Sequence, residues 1–400
     1  MQGAPTKRTS LAGYIEAALQ SQRDAVHDNV FGGLRLSKSI RAIDAGSQGA
    51  DPTLVDLLRA VERDPVLGTL IGKRLVSVNI SRLIDRETLV IWLLFKAYRD
   101  GTQSVLTDLR RLARASRIPV RHIVALDGLS LKHGVHIDRT SMLVPWEQLS
   151  DTEHKRRIEE DRLNTFFTRP SAALVHDAVV GRSEVFSGPE RGGLFLPQWD
   201  PSDLIRCIGL FGGGPAPVAR WAELPTWVPP GGISFQTTLA WSTSPPVEWP
   251  DVAYRRLAPL YRRFTTLPEH ERQHLRIALD RLNKASRPAP IEDRAIDLGI
   301  ALEALFLSDG ESDRAELSFR LAVRAARFLG SSREAREDIF SKAQEIYRLR
   351  SRAVHRGALP STTRGTRTDE VIAAGCVLVA EAARKFIDFG TPNWQRIVLE

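Results

Sequence analysis

The pattern of apolar residues changes character twice along the chain, and its clearest part lies after Asp251. In the stretch 269–284 apolar residues recur at intervals of three and four, which indicates an amphipathic helix. The stretch 292–307 is apolar nearly all round, which is typical of a helix buried in a core. A long helix is expected to follow from Ser331/Ser332 to His355. We therefore predict an all-helical bundle over residues 251–395.

The N-terminal region, residues 1–117, is predicted to be mostly helical. Asp51 and Asp85 each precede a stretch with apolar residues at helical spacing, and aspartate is a favoured N-cap. Pro52, directly after Asp51, is acceptable at the first position of a helix. Residues 32–50 contain four glycines and are expected to be a loose connection.

The middle of the chain, residues 118–250, is predicted to be β-rich. Short apolar stretches alternate there with turns and loops that contain glycine or proline. Strands are expected at 120–126, 134–137, 141–144, 172–180, 204–211 and 233–241. A further short strand is expected at 74–80. The whole is an α+β, multidomain chain, with a helical N-terminal region, a β-rich middle module and a helical C-terminal domain.

Five of the eight tryptophans fall between Trp199 and Trp249. Two interpretations of this clustering are open. Aromatic side chains in a basic protein can stack on nucleic-acid bases, or they can pack in the core of a β-rich module.

The charge of the chain points to an acidic partner. The net charge is +8, mostly from arginine, and the isoelectric point is about 9.8. The segment from Asp251 onward holds 26 Lys+Arg against 21 Asp+Glu, which is a net +5. Such an excess suits nucleic acid, although it is also compatible with solvated helix faces.

Several classes of protein receive no support from the sequence. The two cysteines show neither metal-ligand spacing nor a disulfide framework, so no metal and no cofactor is expected. The N-terminus lacks an apolar signal core, and the longest apolar run, 89–95, is too short to span a bilayer. We therefore expect a cytoplasmic protein without a membrane partner.

Side chains that can bind anions or transfer protons are most concentrated at the end of the long predicted helix, in residues 346–357. Helical spacing places Tyr347 and Arg350 on its core-facing stripe, where a guanidinium needs a carboxylate or an anion. Glu303 is the lone charge from Leu298 to Leu307, the most apolar part of the neighbouring stretch, so we predict that it lies close to Arg350. His355 follows five residues later, about 140° away on an ideal helix. Histidine transfers protons near neutral pH, and arginine binds phosphoryl oxygens.

Three stretches between Asp293 and Gly357 together resemble the HEPN domain, in particular its ApeA-like group. Residues 301–305 resemble the apolar helix of the family with an embedded glutamate, and 317–329 its arginine- and alanine-rich helix. Residues 347–355 resemble its signature, an arginine followed by four to six residues and a histidine.

The resemblance implies a metal-independent endoribonuclease that acts as a homodimer, in a setting such as phage defence, abortive infection or a toxin–antitoxin system. Arg350 and His355 would be the catalytic pair. We expect the catalytic pair to be supported by Glu303, Ser351, Tyr347 and Arg320. We expect RNA to be bound by Arg348, Arg352 and Arg356. Ser351 stands where an asparagine, aspartate or histidine is more usual in the family, and Arg356 stands where a glycine is.

The residues leave a second class of function open. Arg350 can be a structural ion-pair partner and His355 a helix-end residue, in a non-catalytic HEPN module that binds RNA or a nucleotide or mediates assembly. In either case the β-rich module would be a sensing or regulatory part that responds to a regulatory protein or a phage trigger.

Overall fold

A computed structural model shows a mixed α/β protein, 62% helical and 15% strand, with a sheet in the middle and a helical C-terminal region. In the part of the chain that the structure describes, no helix has the length and apolar character needed to cross a membrane. The described residues are 10–28, 32–47, 50–76, 81–152, 155–156, 158–159, 170–187, 199–229, 234–237, 246–308 and 317–399.

Two of the helices before residue 250 begin at the capping residues that the sequence predicts. The Asp51 carboxylate accepts a hydrogen bond from the Thr53 amide (2.9 Å), and the Asp85 carboxylate accepts one from the Thr88 amide (2.7 Å). Both predicted N-caps are thus confirmed. These helices are α1 (Leu11–Ser21), α2 (Arg23–His27), α3 (Gly32–Asp44), α4 (Pro52–Arg63), α5 (Arg86–Asp100), α6 (Thr102–Arg114), α7 (Arg182–Val185) and α8 (Ser202–Gly209).

The strands that the structure describes in the first 250 residues form three sheets. They are β1 (Arg74–Val76), β2 (Ser81–Leu83), β3 (Arg117–Asp127), β4 (Leu129–Ser130), β5 (Val135–His136), β6 (Ser141–Pro145), β7 (Ala172–Gly181), β8 (Phe186–Ser187), β9 (Ala216–Glu223), β10 (Ser234–Thr237) and β11 (Val247–Glu248). The largest sheet has six strands in the order β10-β9-β3-β7-β6-β5, a second has the order β2-β1-β8, and β11 pairs in parallel with β4. The predicted strands over 120–126, 134–137, 141–144 and 172–180 are therefore confirmed.

The C-terminal region is helical, as predicted. Its helices are α9 (Asp251–Thr266), α10 (Glu269–Ala285), α11 (Ile291–Phe306), α12 (Leu317–Leu329), α13 (Arg333–Arg356), α14 (Thr368–Phe389) and α15 (Trp394–Leu399). A small hairpin, β12 (Thr362–Thr363) with β13 (Thr366–Arg367), joins α13 to α14. Helix α11 is central, because it packs against α10, α13 and α14.

The chain folds as two compact units. The first comprises residues 1–123, 176–199 and 220–236, and the second comprises 124–175, 200–219 and 237–400. Residues 118–250, which the sequence groups in one β-rich segment, thus contribute to both units. Each unit has its own apolar core. That of the first includes Leu57 of α4 and Leu93 of α5, and that of the second includes Leu302 of α11.

Residues 204–211 were predicted as a strand, and this is wrong: they belong largely to helix α8. Leu204, Cys207 and Ile208 are buried, at helical intervals of three and four residues. An ion pair between Asp203 and Arg206, three residues apart, supports the same helix (2.7 Å). A short apolar run can form either a buried strand or one to two turns of a buried helix, and the pattern alone does not distinguish them.

Two further elements differ from the sequence prediction. Residues 32–44 form helix α3 rather than a loose connection, and Leu36 and Ile40 of this helix are fully buried in the core of the first unit. Burial of this apolar stripe outweighs the weak helix propensity of Gly32 and Gly33. Strand β9 was missed, because Pro217 lies within it and proline argues against a strand.

The tryptophans of the middle segment mainly support the packing interpretation. Trp221, Trp227 and Trp249 are buried. Trp199 is half-buried, and Trp241 lies outside the described residues. Core packing therefore accounts for three of the five side chains, and Trp199 has a different setting that is described below.

Candidate active site

The candidate site lies on helix α13 in the second unit. The Ser332 hydroxyl caps the start of this helix by accepting a hydrogen bond from the Ala335 amide (3.2 Å). The helix runs unbroken to Arg356, and Gly357 ends it in the left-handed conformation with φ of 66°. The predicted cap and stop are both confirmed, since glycine adopts this conformation without steric cost. Arg350 and His355 therefore lie on one continuous helix.

Arg350 contacts helix α11 at Glu303, the carboxylate that we predicted as its partner. Its Nη2 lies 3.5 Å from Oε1 of Glu303, so the predicted proximity of the two charges is confirmed. Its guanidinium carbon also lies 5.7 Å from the centroid of the Tyr347 ring, within the range of a cation–π contact. Arg350, Glu303 and Tyr347 thus form one polar group, which we call the α11–α13 polar cluster.

Tyr347 is held in the neutral form within this cluster. Burial and the charge and hydrogen bonding of the Glu303 carboxylate raise the pKa of the Tyr347 hydroxyl above its ordinary value. The nearby Arg350 opposes this shift without cancelling it. Since the raised pKa lies far above neutrality, Tyr347 can donate a hydrogen bond at physiological pH but does not serve as a base there.

The guanidinium of Arg350 keeps capacity for an anion. The side chains of Arg350 and Glu303 are 27% and 28% exposed, and their single ion pair is long. A pair of this kind contributes about 0–1 kcal/mol to stability. The Nε atom of Arg350 is buried and has no hydrogen-bond partner among the described residues. A phosphate or carboxylate that reaches this edge would gain a donor that the fold itself leaves unused.

Gly299 positions Arg350 and was not singled out from the sequence. It lies on α11, one turn before Glu303, and a β-carbon placed on it would overlap the Arg350 side chain, with Cβ 2.7 Å away. The glycine therefore lets the stem of Arg350 lie directly against α11. A signal was present, because glycine inside an otherwise apolar helix weakens the helix and often marks a close packing contact.

Replacing Gly299 with alanine is expected to lower the free energy of unfolding by about 1–3 kcal/mol, because the added methyl group overpacks the contact with Arg350. Chemical denaturation of the purified variant measures this loss. Gly33→Ala is the matched control, since Gly33 lies in helix α3 with nothing within 4 Å of the added group. The control is expected to be neutral or slightly stabilising. Equal effects of the two substitutions would contradict the packing role of Gly299.

His355 lies in the last turn of α13 and is exposed to solvent. Its side chain forms no hydrogen bond or ion pair with the residues that the structure describes. On a regular helix, residues five positions apart point about 140° away from each other. Since α13 stays helical through Arg356, Arg350 and His355 of one chain lie on different faces of this helix.

The three flanking arginines have different settings. Arg348 is engaged with Glu345, whose buried carboxylate accepts hydrogen bonds from Nε (3.0 Å) and Nη2 (2.5 Å) of Arg348. Arg356, in contrast, is exposed, and Arg352 is half-buried. Neither of these two forms an ion pair with a described residue. Arg352 and Arg356 thus keep more unused hydrogen-bond donors than Arg348.

Glu345 anchors the hairpin that follows the site. Burial alone would raise the pKa of its carboxyl, but hydrogen bonds from Arg348 and Thr363 outweigh burial and hold the pKa below its ordinary value. Arg364 adds a longer ion pair (3.3 Å). This network ties the hairpin β12–β13 to helix α13, so Arg348 has a structural role.

The two remaining predicted residues are Ser351 on helix α13 and Arg320 on the neighbouring helix α12. Ser351 is half-buried on α13, directly after Arg350. Arg320 is half-buried in the first turn of α12, which packs along α13. Among the described residues there is no group of three or more histidine, cysteine, aspartate or glutamate side chains that could hold a metal ion.

Comparison with known proteins yields no relative of this chain. No protein family, no curated protein and no solved structure matches it significantly. A functional assignment therefore depends on the motifs of the sequence and on the geometry of the α11–α13 polar cluster.

Proposed function

We propose that this protein is a metal-independent endoribonuclease of the HEPN type, in which Arg350 and His355 act together at the cleft of a homodimer. The observation that carries the proposal is the setting of Arg350. Arg350 occupies the arginine position of the HEPN signature, and its guanidinium contacts Tyr347 and Glu303. Its Nε atom is buried and has no hydrogen-bond partner among the described residues. The histidine position of the same signature is solvent-exposed.

In the proposed reaction the 2′-oxygen of a ribose attacks the adjacent phosphorus, and the bond from phosphorus to the 5′-oxygen breaks. The 2′-hydroxyl loses a proton and the leaving 5′-oxygen gains one, so no further reactant is needed. His355 transfers protons in this exchange. Arg350 stabilises the negative charge that develops on the phosphoryl oxygens. The products are a 2′,3′-cyclic phosphate and a 5′-hydroxyl.

The positions of the two residues on helix α13 support a homodimer. Because Arg350 and His355 of one chain lie on different faces of this continuous helix, a second chain would allow one phosphate to contact both types of side chain. Arg352 and Arg356 belong to the same helix end and would add positive charge to the cleft, which favours RNA binding. A phage-defence, abortive-infection or toxin–antitoxin setting is the biological context that the HEPN resemblance implies.

The proposal is tested by incubating the purified protein with transfer RNA or total RNA in EDTA. We expect cleavage by the wild type, and a rate about 10²- to 10³-fold lower for Arg350→Ala, which removes the group that stabilises the transition state. Arg333→Ala is the matched control, because Arg333 begins the same helix and is 87% exposed. The control is expected to cleave like the wild type. Undiminished cleavage by Arg350→Ala would refute the assignment of the site.

A non-catalytic role is the second candidate, and the ion pair between Arg350 and Glu303 favours it. In a module that only binds RNA or a nucleotide, or mediates assembly, Arg350 would be a structural residue. The same experiment separates the two functions. For the non-catalytic module, the wild type leaves RNA intact and Arg350→Ala lowers only stability or binding.

A further inference from the structure

A cavity in the first unit, far in sequence from the candidate active site, has the features of a ligand-binding site. Its volume is about 650 Å³, within the usual range of small-molecule sites. It lies along strands β3 and β7 and the start of α7. The residues that give it chemical character are Arg117, His122, His176, Ser183 and Trp199.

His122 is the most unusual residue of this cavity. Its side chain is only 1% exposed, yet neither ring nitrogen has a hydrogen-bond partner among the described residues. Burial, followed by the charges of His176 and Arg220, lowers the pKa of His122 to about 4, so the ring is neutral at physiological pH. A neutral imidazole carries one donor and one acceptor. Leaving both unpaired in a buried position is unfavourable, and a ligand with complementary groups would recover this cost.

An aromatic wall lies beside His122. The ring of His176 stacks on Trp199, with centroids 4.7 Å apart and planes only 10° from parallel, and lies 6.2 Å from the ring of His122. Arg220 donates a hydrogen bond to the carbonyl oxygen of Trp199, which fixes the backbone of the wall. A flat aromatic surface of this kind favours a planar ring, such as a nucleic-acid base, which can stack on it.

The cavity also carries a positive charge at one end. Arg117 begins β3 and is exposed, and its guanidinium donates one hydrogen bond to the carbonyl oxygen of Val179 (3.3 Å), which leaves further donors for an anion. The carboxylate of Glu184 also lines the cavity and accepts a hydrogen bond from the Gly181 amide. The cavity therefore combines a cation, one carboxylate, a planar aromatic wall and a buried donor–acceptor pair.

We infer that this cavity binds a mononucleotide, with the base against Trp199 and His176, its polar edge on His122 and its phosphate on Arg117. The heterocyclic edge of a base offers an acceptor and a donor with which the two ring nitrogens of His122 can pair. The phosphate suits the planar donors of a guanidinium. This site is separate from the proposed ribonuclease site, and neither inference depends on the other.

Calorimetric titration of the full chain with each of the four common ribonucleoside monophosphates tests the inference. We expect saturable binding of at least one of them at one per chain. The corresponding nucleoside and inorganic phosphate are each expected to bind at least tenfold more weakly, because each lacks one of the two recognised parts. Phosphate that binds as tightly as the nucleotide, or no saturable binding of any nucleotide, would overturn the inference.

Two variants assign the binding to this cavity. His122→Phe keeps the volume of the ring but removes its donor and acceptor, and Arg117→Gln removes an exposed charge with little risk to the fold. Each is expected to weaken the nucleotide at least tenfold. Arg121→Gln is the matched control, since Arg121 lies on the same strand but pairs with Asp177 (2.7 Å). Arg350→Ala should also bind like the wild type. Unchanged binding by both cavity variants, or a loss in Arg350→Ala alone, would overturn the assignment.

Discussion

Replacing His355 with alanine is expected to slow RNA cleavage by about 10²- to 10⁴-fold, the usual contribution of a group that transfers protons in the transition state. The substitution should scarcely affect folding. His355 is exposed and forms no hydrogen bond with the described residues, and a surface change of this kind alters stability by about 0.5 kcal/mol or less. A loss of activity in a fully folded variant would therefore report on chemistry. The measurement is the initial rate of RNA cleavage in EDTA.

His270→Ala is the matched control for this experiment. His270 lies in α10 of the same unit, and its side chain is 77% exposed. We expect the rate of this variant to equal that of the wild type. If His270→Ala and His355→Ala cleave alike, His355 has no catalytic role.

Mixing the two inactive variants tests whether the site is shared between chains. In a dimer that contains one Arg350→Ala chain and one His355→Ala chain, one cleft can combine the intact arginine of one chain with the intact histidine of the other. Refolding the two together should then restore cleavage well above that of either variant alone. No restoration, with dimers present in solution, would contradict a site completed by a second chain.

The second large effect that we expect is a loss of folding stability at acidic pH, which is caused by His122 in the first unit. Because the pKa of His122 is about 4 in the folded protein and about 6.5 in an unfolded chain, the unfolded state binds more protons between these values. Stability that is fully present above pH 6.5 is lost progressively as the pH falls towards 4. Integration of this linkage from pH 7 to pH 5 gives a loss of about 2 kcal/mol from this residue alone.

His122→Phe should remove that component of the acid sensitivity. Denaturant unfolding of the first unit at pH 7 and pH 5 is expected to show a loss about 2 kcal/mol smaller for the variant than for the wild type. The other groups near this ring, His176 and Arg220, are present in both proteins, so the comparison isolates His122. Equal losses in the two proteins would show that His122 is not held neutral.

The helices of the C-terminal region were predictable because their signals are local. Capping and stopping depend on residues within one turn of each other, and both Ser332 and Gly357 act where the sequence indicates. The closeness of Glu303 and Arg350 was also predictable, because each charge on an apolar helix face needs a partner of opposite sign.

Other features depend on packing between segments that are distant in sequence. Helix α8 was mistaken for a strand, since a run of eight residues has too few turns to reveal its period. The contact of Gly299 with Arg350 requires the register of two helices, and the isolation of buried His122 requires the arrangement of a sheet. A glycine inside an apolar helix indicates a close contact, but the local pattern of apolar and polar residues identifies neither the partner of Gly299 nor the isolation of His122.

The central claim is that Arg350 and His355 cleave RNA by way of the 2′-hydroxyl and without a metal ion. The most direct measurement is the chemistry of the ends produced when the wild type and Arg350→Ala are incubated with RNA in EDTA. We predict 2′,3′-cyclic phosphate and 5′-hydroxyl ends from the wild type, few from the variant, and no cleavage of single-stranded DNA of the same sequence. Intact RNA with the wild-type dimer, or ends with 5′-phosphates, would contradict the claim.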